Sequence, residues 1–290
     1  MDLESLRIFS SVASELSVTR AASRLGRAPS NVTTRIQQLE AELGVELFVR
    51  AGKRMALSTS GEQFVGYAQR ILSLEDEARH VITGGATGGT LRIGSMESTA
   101  ASRLPVPLAA FNRESPSTQL EVSTGPSGML IEQVRSGQLD CAFVALPTAH
   151  SDEAHLNEMG LEGSAIWQEE LLLLLPPTDA TATSPAQVKT RALAAFRIGC
   201  TYRFIAEEQF GIHAGSGWKI QELGSYHAMV ATVAAGSCVA ILPESVLQLT
   251  SARDHLSTIR VCSISTYLVW RRDYKTPAFE KFALLFKGAA

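Results

Sequence analysis

Apolar positions recur every three or four residues from Leu3 to Leu43, in three short blocks. Leu3, Leu6, Phe9, Val12, Ala13 and Leu16 form the first and predict an amphipathic helix. Ser17 stands where a second helix, carrying Val18, Ala21, Ala22 and Leu25, needs an N-cap acceptor. Gly26 supplies its stop. Pro29 suits the first turn of a third helix, because its missing N–H has no intrahelical partner there. Val32, Ile36, Leu39 and Leu43 line one face of that helix.

The opposite face of the third helix carries Ser30, Asn31, Thr33, Thr34, Arg35, Gln37 and Gln38. These are short or forked hydrogen-bonding side chains with no acid among them. That chemistry suits a major groove, whose base edges offer donors and acceptors. Leu47 to Leu57 then reads as two short apolar strands around a basic turn at Gly52, with Arg50, Lys53 and Arg54 near the tip. A hairpin so charged can reach the DNA backbone. The segment predicted is therefore a winged helix-turn-helix over residues 1–58.

Ser60-Gly61-Glu62-Gln63 matches a capping box and predicts a long helix to about Ile82. Phe64, Ala68, Ile71, Ala78 and Ile82 follow 4-and-3 spacing, interrupted by Glu75. Such a stripe fits pairing with a second copy better than packing on its own domain. Gly84, Gly85, Gly88 and Gly89 read as a hinge, so residues 59–89 form a linker.

From Thr90 the pattern alternates strands with helices. Strands are expected at Leu91–Gly94, Leu120–Ser123, Cys141–Leu146, Leu171–Leu175, around Ile198, at Lys219–Leu223, Val239–Leu242 and Tyr267–Trp270. Helices are expected through Leu104, Leu108 and Phe111, through Met129, Leu130 and Val134, and over Phe204–Phe210, Tyr226–Ala235 and Phe279–Phe286. Repeated β-α-β units predict a doubly wound, mostly parallel α/β fold over residues 90–290. One subdomain takes about 90–165 and 266–290, the other about 166–265, with a cleft between them.

Composition narrows the function. The chain has 290 residues, 45% hydrophobic and 19% charged, with a net charge of −3, so any DNA-binding surface is local. Val18 to Arg54 supplies one: seven bases, including Arg20 and Arg27, face three acids. Cys141, Cys200, Cys238 and Cys262 form no C-x-x-C pair, so no zinc site and no disulfide framework is expected. The start Met-Asp-Leu-Glu does not read as a signal peptide. The longest apolar run, Leu171 to Pro177, is far below the roughly 20 residues that span a bilayer. A cytoplasmic protein without membrane contact is expected. No nucleophile elbow, zinc-protease helix, phosphate loop or dinucleotide fingerprint occurs, so neither catalysis nor a cofactor is expected.

Three blocks carry a family pattern: Arg20-Ala21-Ala22-Ser23-Arg24-Leu25, Thr33 through Glu40, and Leu43 through Arg50, completed by Leu57-Ser58-Thr59-Ser60-Gly61. The chain resembles the LysR-type transcriptional regulators over its whole length. The resemblance implies a winged-helix domain, a dimerising linker helix and a two-subdomain effector domain similar to type 2 periplasmic binding proteins. It implies double-stranded promoter DNA, a small-molecule effector and further copies of the chain, dimer or tetramer, as partners, with RNA polymerase a further candidate. Effector closure of the cleft would alter the spacing of the DNA-binding domains. Pro29 and Thr34 depart from the family, which often has Gln and Arg at those places, so base preference stays open. Glu97 through Ala101, Ser123 through Gly128 and Ser225-Tyr226-His227 resemble putrescine-utilisation regulators.

Ligands of doubly wound sheets sit beyond the carboxyl ends of strands. Ser98 and Thr99, then Thr124, Pro126 and Ser127, then Thr201 and Tyr202 fall in such loops, offering hydroxyls and backbone N–H groups that suit anions. Each hydroxyl can equally serve as a plain helix cap. Glu97 would instead favour an amine, or pair with an arginine. Tyr226 and His227 can supply a ring face and a polar atom, or pack as an ordinary helix. A solute-binding protein or enzyme on the same cleft, and an architectural DNA-binding protein without an effector, are the competing readings.

Overall fold

The computed structural model describes residues 1–51, 54–82, 89–146, 153–251 and 256–287. The chain divides into two compact units, Met1–Gly84 with Ser136–Gln138, and the remainder from Gly85 to Ala290.

The first unit opens with α1 (Leu3–Glu15), α2 (Val18–Arg24) and α3 (Pro29–Leu43). Asp2 caps α1 by accepting from the Ser5 N–H at 2.7 Å, and Ser17 caps α2 by accepting from the Arg20 N–H at 3.3 Å. Each cap satisfies a donor that the first helical turn leaves without an acceptor. Gly44 ends α3 at φ 71°, a left-handed conformation that costs a residue without Cβ little. The apolar faces meet as expected. Leu6, Phe9, Val12, Ala21, Ala22, Val32, Ile36 and Leu39 are buried together, with the Phe9 ring 5.0 Å from that of Phe64. Full burial of side chains such as Leu and Phe contributes about 1.5–3 kcal/mol each.

Strands β1 (Phe48–Ala51) and β2 (Arg54–Leu57) pair antiparallel, Phe48 opposite Leu57 and Ala51 opposite Arg54. Glu40 Oε1 accepts from the N–H groups of Leu47 and Phe48 at 2.7 and 3.1 Å, tying α3 to the hairpin. The long helix α4 (Thr59–Ile82) follows. Its cap is Ser58 and not the predicted Ser60, because the Gly61 N–H donates to Ser58 Oγ at 2.9 Å. The reason lies in the hairpin: Ser58 N–H and Oγ bond to the carbonyls of Leu47 and Glu46, which sets its hydroxyl over the first turn. Phe64, Ala68 and Ile71 join the core of this unit, whereas Leu74, Ala78, Val81 and Ile82 are exposed. Glu75, which breaks the apolar stripe, pairs with Arg7 at 2.6 Å and with Arg79. The hinge expected at Gly84–Gly89 lies outside the described residues except for Gly89, which opens the first strand of the next unit.

The second unit runs β3 (Gly89–Ser95), α5 (Glu97–Ser102), α6 (Pro105–Glu114), β4 (Thr118–Thr124), α7 (Ser127–Arg135), β5 (Cys141–Ala145), α8 (Glu153–Glu158) and β6 (Leu161–Leu175). It continues with β7 (Ala192–Ala195), α9 (Thr201–Phe210), β8 (Lys219–Glu222), α10 (Tyr226–Ala234), β9 (Val239–Pro243), α11 (Glu244–Leu247), β10 (Ser257–Arg271) and α12 (Pro277–Leu284). The strands form one eight-stranded sheet in the order β4-β3-β5-β10-β6-β9-β7-β8. Parallel triples stand at both sides: β4, β3 and β5 in a first lobe, and β8, β7 and β9 in a second. Leu91, Ile93, Phe111, Phe143 and Phe282 fill the core of the first lobe, and Leu193, Val239 and Ile241 that of the second.

Two expectations change. Leu171–Leu175 is the last third of a 15-residue strand, which pairs antiparallel with the equally long β10. The two β-α sets are therefore halves of one mixed sheet. The earlier part of β6 is rich in Glu, Gly, Ser and Gln and carries no apolar run, so its extended form depends on the pairing itself. The strand expected around Ile198 is instead β7, and Ile198 lies in the following turn, 79% exposed. The sequence of β7, Ala-Leu-Ala-Ala, lacks the β-branched residues that mark a strand. Burial between β8 and β9 holds it extended.

Candidate functional site

In the first unit, α3 presents Ser30, Asn31, Thr33, Thr34, Gln37 and Gln38 to solvent, opposite the buried Val32, Ile36 and Leu39. Thr33 Oγ1 donates back to the Pro29 carbonyl at 3.0 Å. Arg35 departs from this face. It is half-buried at the flank, and its Nη1 lies 3.4 Å from Asp2 Oδ2. The Ser5 backbone N–H, helped by the Ser5 hydroxyl and by Arg35, holds the Asp2 carboxyl below the usual carboxylate range. The other cations near this face also lean on α1. Arg20 Nε is 3.2 Å from Glu15 Oε2, Arg24 Nη1 is 3.5 Å from Glu15 Oε1, and Arg27 Nη2 is 2.5 Å from Glu4 Oε1. Exposed pairs of this kind contribute about 0–1 kcal/mol each, so phosphate can replace them at small cost. The hairpin expected to act as a wing is present. Lys53 and the side chains of Arg50 and Arg54 lie outside the described residues.

In the second unit a cavity of about 460 Å³ opens between the two lobes, beyond the carboxyl ends of β3, β4, β7 and β8. Six of the predicted residues line it: Glu97, Thr124, Pro126, Ser127, Tyr202 and Tyr226. Four do not. Ser98 and Thr99 are buried behind the wall. Thr201 uses its hydroxyl to bond the Ala145 carbonyl at 2.7 Å. His227 is exposed, near enough to Glu97 to act on its charge. Lining residues that the sequence reading missed include Met96, Met129, Phe196, Arg197 and Glu222. Phe196 and Arg197 were hidden by the misplaced strand at Ile198, since both follow the true strand β7.

The loops from the two lobes touch. The Gly128 N–H donates to the Gly199 carbonyl at 3.4 Å, and Gly199, at φ 95°, lies in the left-handed region that favours glycine. Ser127 Oγ accepts from the Ala145 N–H at 3.2 Å, so Ser127 and Thr201 converge on one residue from opposite lobes.

The chemistry inside is mixed. Burial raises the Glu97 carboxyl above its ordinary range, and His227 pulls it partly back. Glu97 Oε2 is buried with no hydrogen-bond partner, and burial pushes the Tyr202 hydroxyl well up, with the neighbouring Ser98 hydroxyl pulling it partly back. Unpaired buried polar atoms cost free energy, and a site that holds them favours a ligand that satisfies them. Phe196 and Tyr226 meet edge-on, ring centroids 4.8 Å apart. Burial also raises the Cys200 thiol. All four cysteines are unbridged. No group of three or more metal-ligating side chains stands together among the described residues. No helix of the described residues is long and apolar enough to cross a membrane.

The profile of the bacterial regulatory helix-turn-helix protein, lysR family, matches residues 3–62, and that of the LysR substrate binding domain matches residues 84–290. The chain belongs to the LysR family. As a LysR-type transcriptional regulator it binds DNA and a small-molecule effector and is not an enzyme. The regulator is 36% identical over 249 residues to the HTH-type transcriptional regulator YusT of Bacillus subtilis, covering 86% of this chain and 81% of that one. It is 33% identical to GltR of the same organism over 97% of this chain and 95% of that one. Its fold is similar to that of a full-length OxyR from Pseudomonas aeruginosa, with a TM-score of 0.69 at 22% identity over 99% of this chain and 94% of that one. CbnR, described as a LysR family transcriptional regulator, gives a TM-score of 0.68 at 24% identity over 100% of this chain and 99% of that one.

Proposed function

We propose that the regulator reads its operator through the exposed face of α3 and the β1–β2 hairpin, and that its effector is a small molecule with a protonated amine held between the lobes. One observation carries the effector reading: Glu97 lines the cavity, and its Oε2 is buried and without a partner. An ammonium N–H supplies the missing partner, and a charge-assisted hydrogen bond of that kind is among the stronger ones. The edge-on rings of Phe196 and Tyr226 offer a second attraction for a cation. Diamines of the putrescine type and amino acids both carry the required group, whereas organic acids without nitrogen do not. Small-ligand sites run to about 300–1,000 Å³, and this one falls toward the lower end.

The exposed Leu74, Ala78, Val81 and Ile82 on the second half of α4 support pairing with a second copy of the chain, since the first half of the same stripe is already covered. Effector binding then favours one arrangement of the assembled DNA-binding units over another.

A thermal-shift panel on the full chain tests the effector reading. Amines and amino acids should raise the melting temperature, and Glu97→Gln should abolish the rise. A response confined to nitrogen-free acids would overturn it.

A further inference from the structure

Three charged side chains line the cavity among the described residues: Glu97, Glu222 and Arg197. Glu97 follows β3 in the first lobe, whereas Glu222 ends β8 and Arg197 follows β7 in the second. Those two strands are neighbours, with Ala195 opposite Glu222, so Arg197 stands two residues past the partner of Glu222. A cation and an anion are thus set side by side on one wall, and a lone anion on the other.

The charges on the double wall are not used up within the protein. Arg197 has no carboxylate partner among the described residues. Glu222 Oε1 accepts from Arg203 Nη1 at 2.6 Å, but Arg203 is shared with Glu207 at 2.7 Å. That trio keeps one net negative charge. Across the cavity, Glu97 Oε2 is buried and unpartnered. The wall therefore offers one place for a carboxylate and two for ammonium groups.

Resting on the amine reading above, we infer that the effector is a dibasic amino acid. Its α-carboxylate meets Arg197, its α-ammonium meets Glu222, and its side-chain cation reaches Glu97 beside the Phe196 and Tyr226 rings. A diamine satisfies both carboxylates and leaves Arg197 without a partner. A neutral amino acid satisfies the double wall and leaves Glu97 unpaired. Only a molecule with both features bridges the lobes and matches all three charges, and such bridging is what gives a ligand differential affinity for the closed form.

Calorimetric titration of the full-length protein with four probes tests the inference: L-lysine, cadaverine (the same chain without its carboxylate), L-norleucine (without the second amine) and glutarate. Lysine should bind roughly tenfold to a hundredfold more tightly than either truncated analogue, the loss that accompanies one unmade charged hydrogen bond. Arg197→Ala, an exposed position that the fold tolerates, should erase the difference between lysine and cadaverine without weakening cadaverine. Equal affinity of the wild type for lysine and cadaverine would overturn the amino-acid assignment while leaving the amine reading standing. Equal affinity for lysine and norleucine would overturn the dibasic part in the same way. Binding of glutarate alone would remove both the inference and the reading beneath it.

Discussion

Arg35 Nη1 stands 3.4 Å from Asp2 Oδ2, so a cation on the flank of the third helix is tied to the residue that caps the first. The pair places Arg35 at the edge of the groove-facing surface and not at its centre. Arg35→Ala should weaken operator binding by about 1–3 kcal/mol if the guanidinium turns to a base edge. Asp2→Asn keeps an acceptor for the Ser5 N–H, drops the charge, and should tighten DNA binding while leaving α1 intact. Gel-shift titrations of both variants check this, and wild-type affinity for Arg35→Ala would take that residue out of the interface.

Thr34 and Gln38 lie nearer the centre of the exposed face. Gln38→Ala should reduce discrimination between operator and random DNA by about 1–3 kcal/mol and leave random DNA binding unchanged. Lys53→Ala should weaken binding to all sequences and lower the salt slope by about one. Competition titrations at two salt concentrations separate the two behaviours.

Glu97 links the cleft to pH. Burial raises its folded-state pKa, so the folded chain holds this proton more tightly than the unfolded chain does. Stability without effector should then fall as pH rises from the ordinary glutamate range through the raised value. Glu97→Gln should flatten that fall and raise the effector-free melting temperature above it. Effector affinity should run the other way, increasing as Glu97 ionises. Melting curves across pH, with and without an amine, test both signs.

Gly61 marks the junction of hairpin and long helix. A Cβ there would press into the Leu47 carbonyl oxygen, which is backbone and cannot swing aside. Gly61→Ala should cost about 1–3 kcal/mol, the usual penalty for overpacking, and thermal denaturation of the purified variant reads it. Gly66→Ala is the matched control, since no atom lies within 4 Å of a Cβ at that position.

The helices of the first unit were legible because of local signals: Ser17 as a cap, Gly26 as a stop, Pro29 as a start, and a repeating apolar face. The groove face followed from the same periodicity. What the sequence could not show was the partner of each arginine, because Asp2, Glu4 and Glu15 reach Arg35, Arg27 and Arg20 only after the helices pack. The cleft was half legible. Glu97, Thr124 and Ser127 sit at strand ends that apolar runs announce. Phe196 and Arg197 escaped because β7 is an alanine-rich strand held by its neighbours, and Ser58 displaced Ser60 as a cap because the hairpin positions it.

The paired strands β6 and β10 run the full height of the second unit, and they set how it can move. Both lobes grow from the same two-stranded ribbon, with β5 hydrogen-bonded to one end of β10 and β9 to the opposite end of β6. No loose tether joins the lobes along this seam. Opening the cleft means twisting a hydrogen-bonded ribbon, and the ladder is already irregular between Arg260 and Cys262 and between Thr266 and Tyr267. Because both lobes are hydrogen-bonded to this one ribbon, a twist of it would be shared between them.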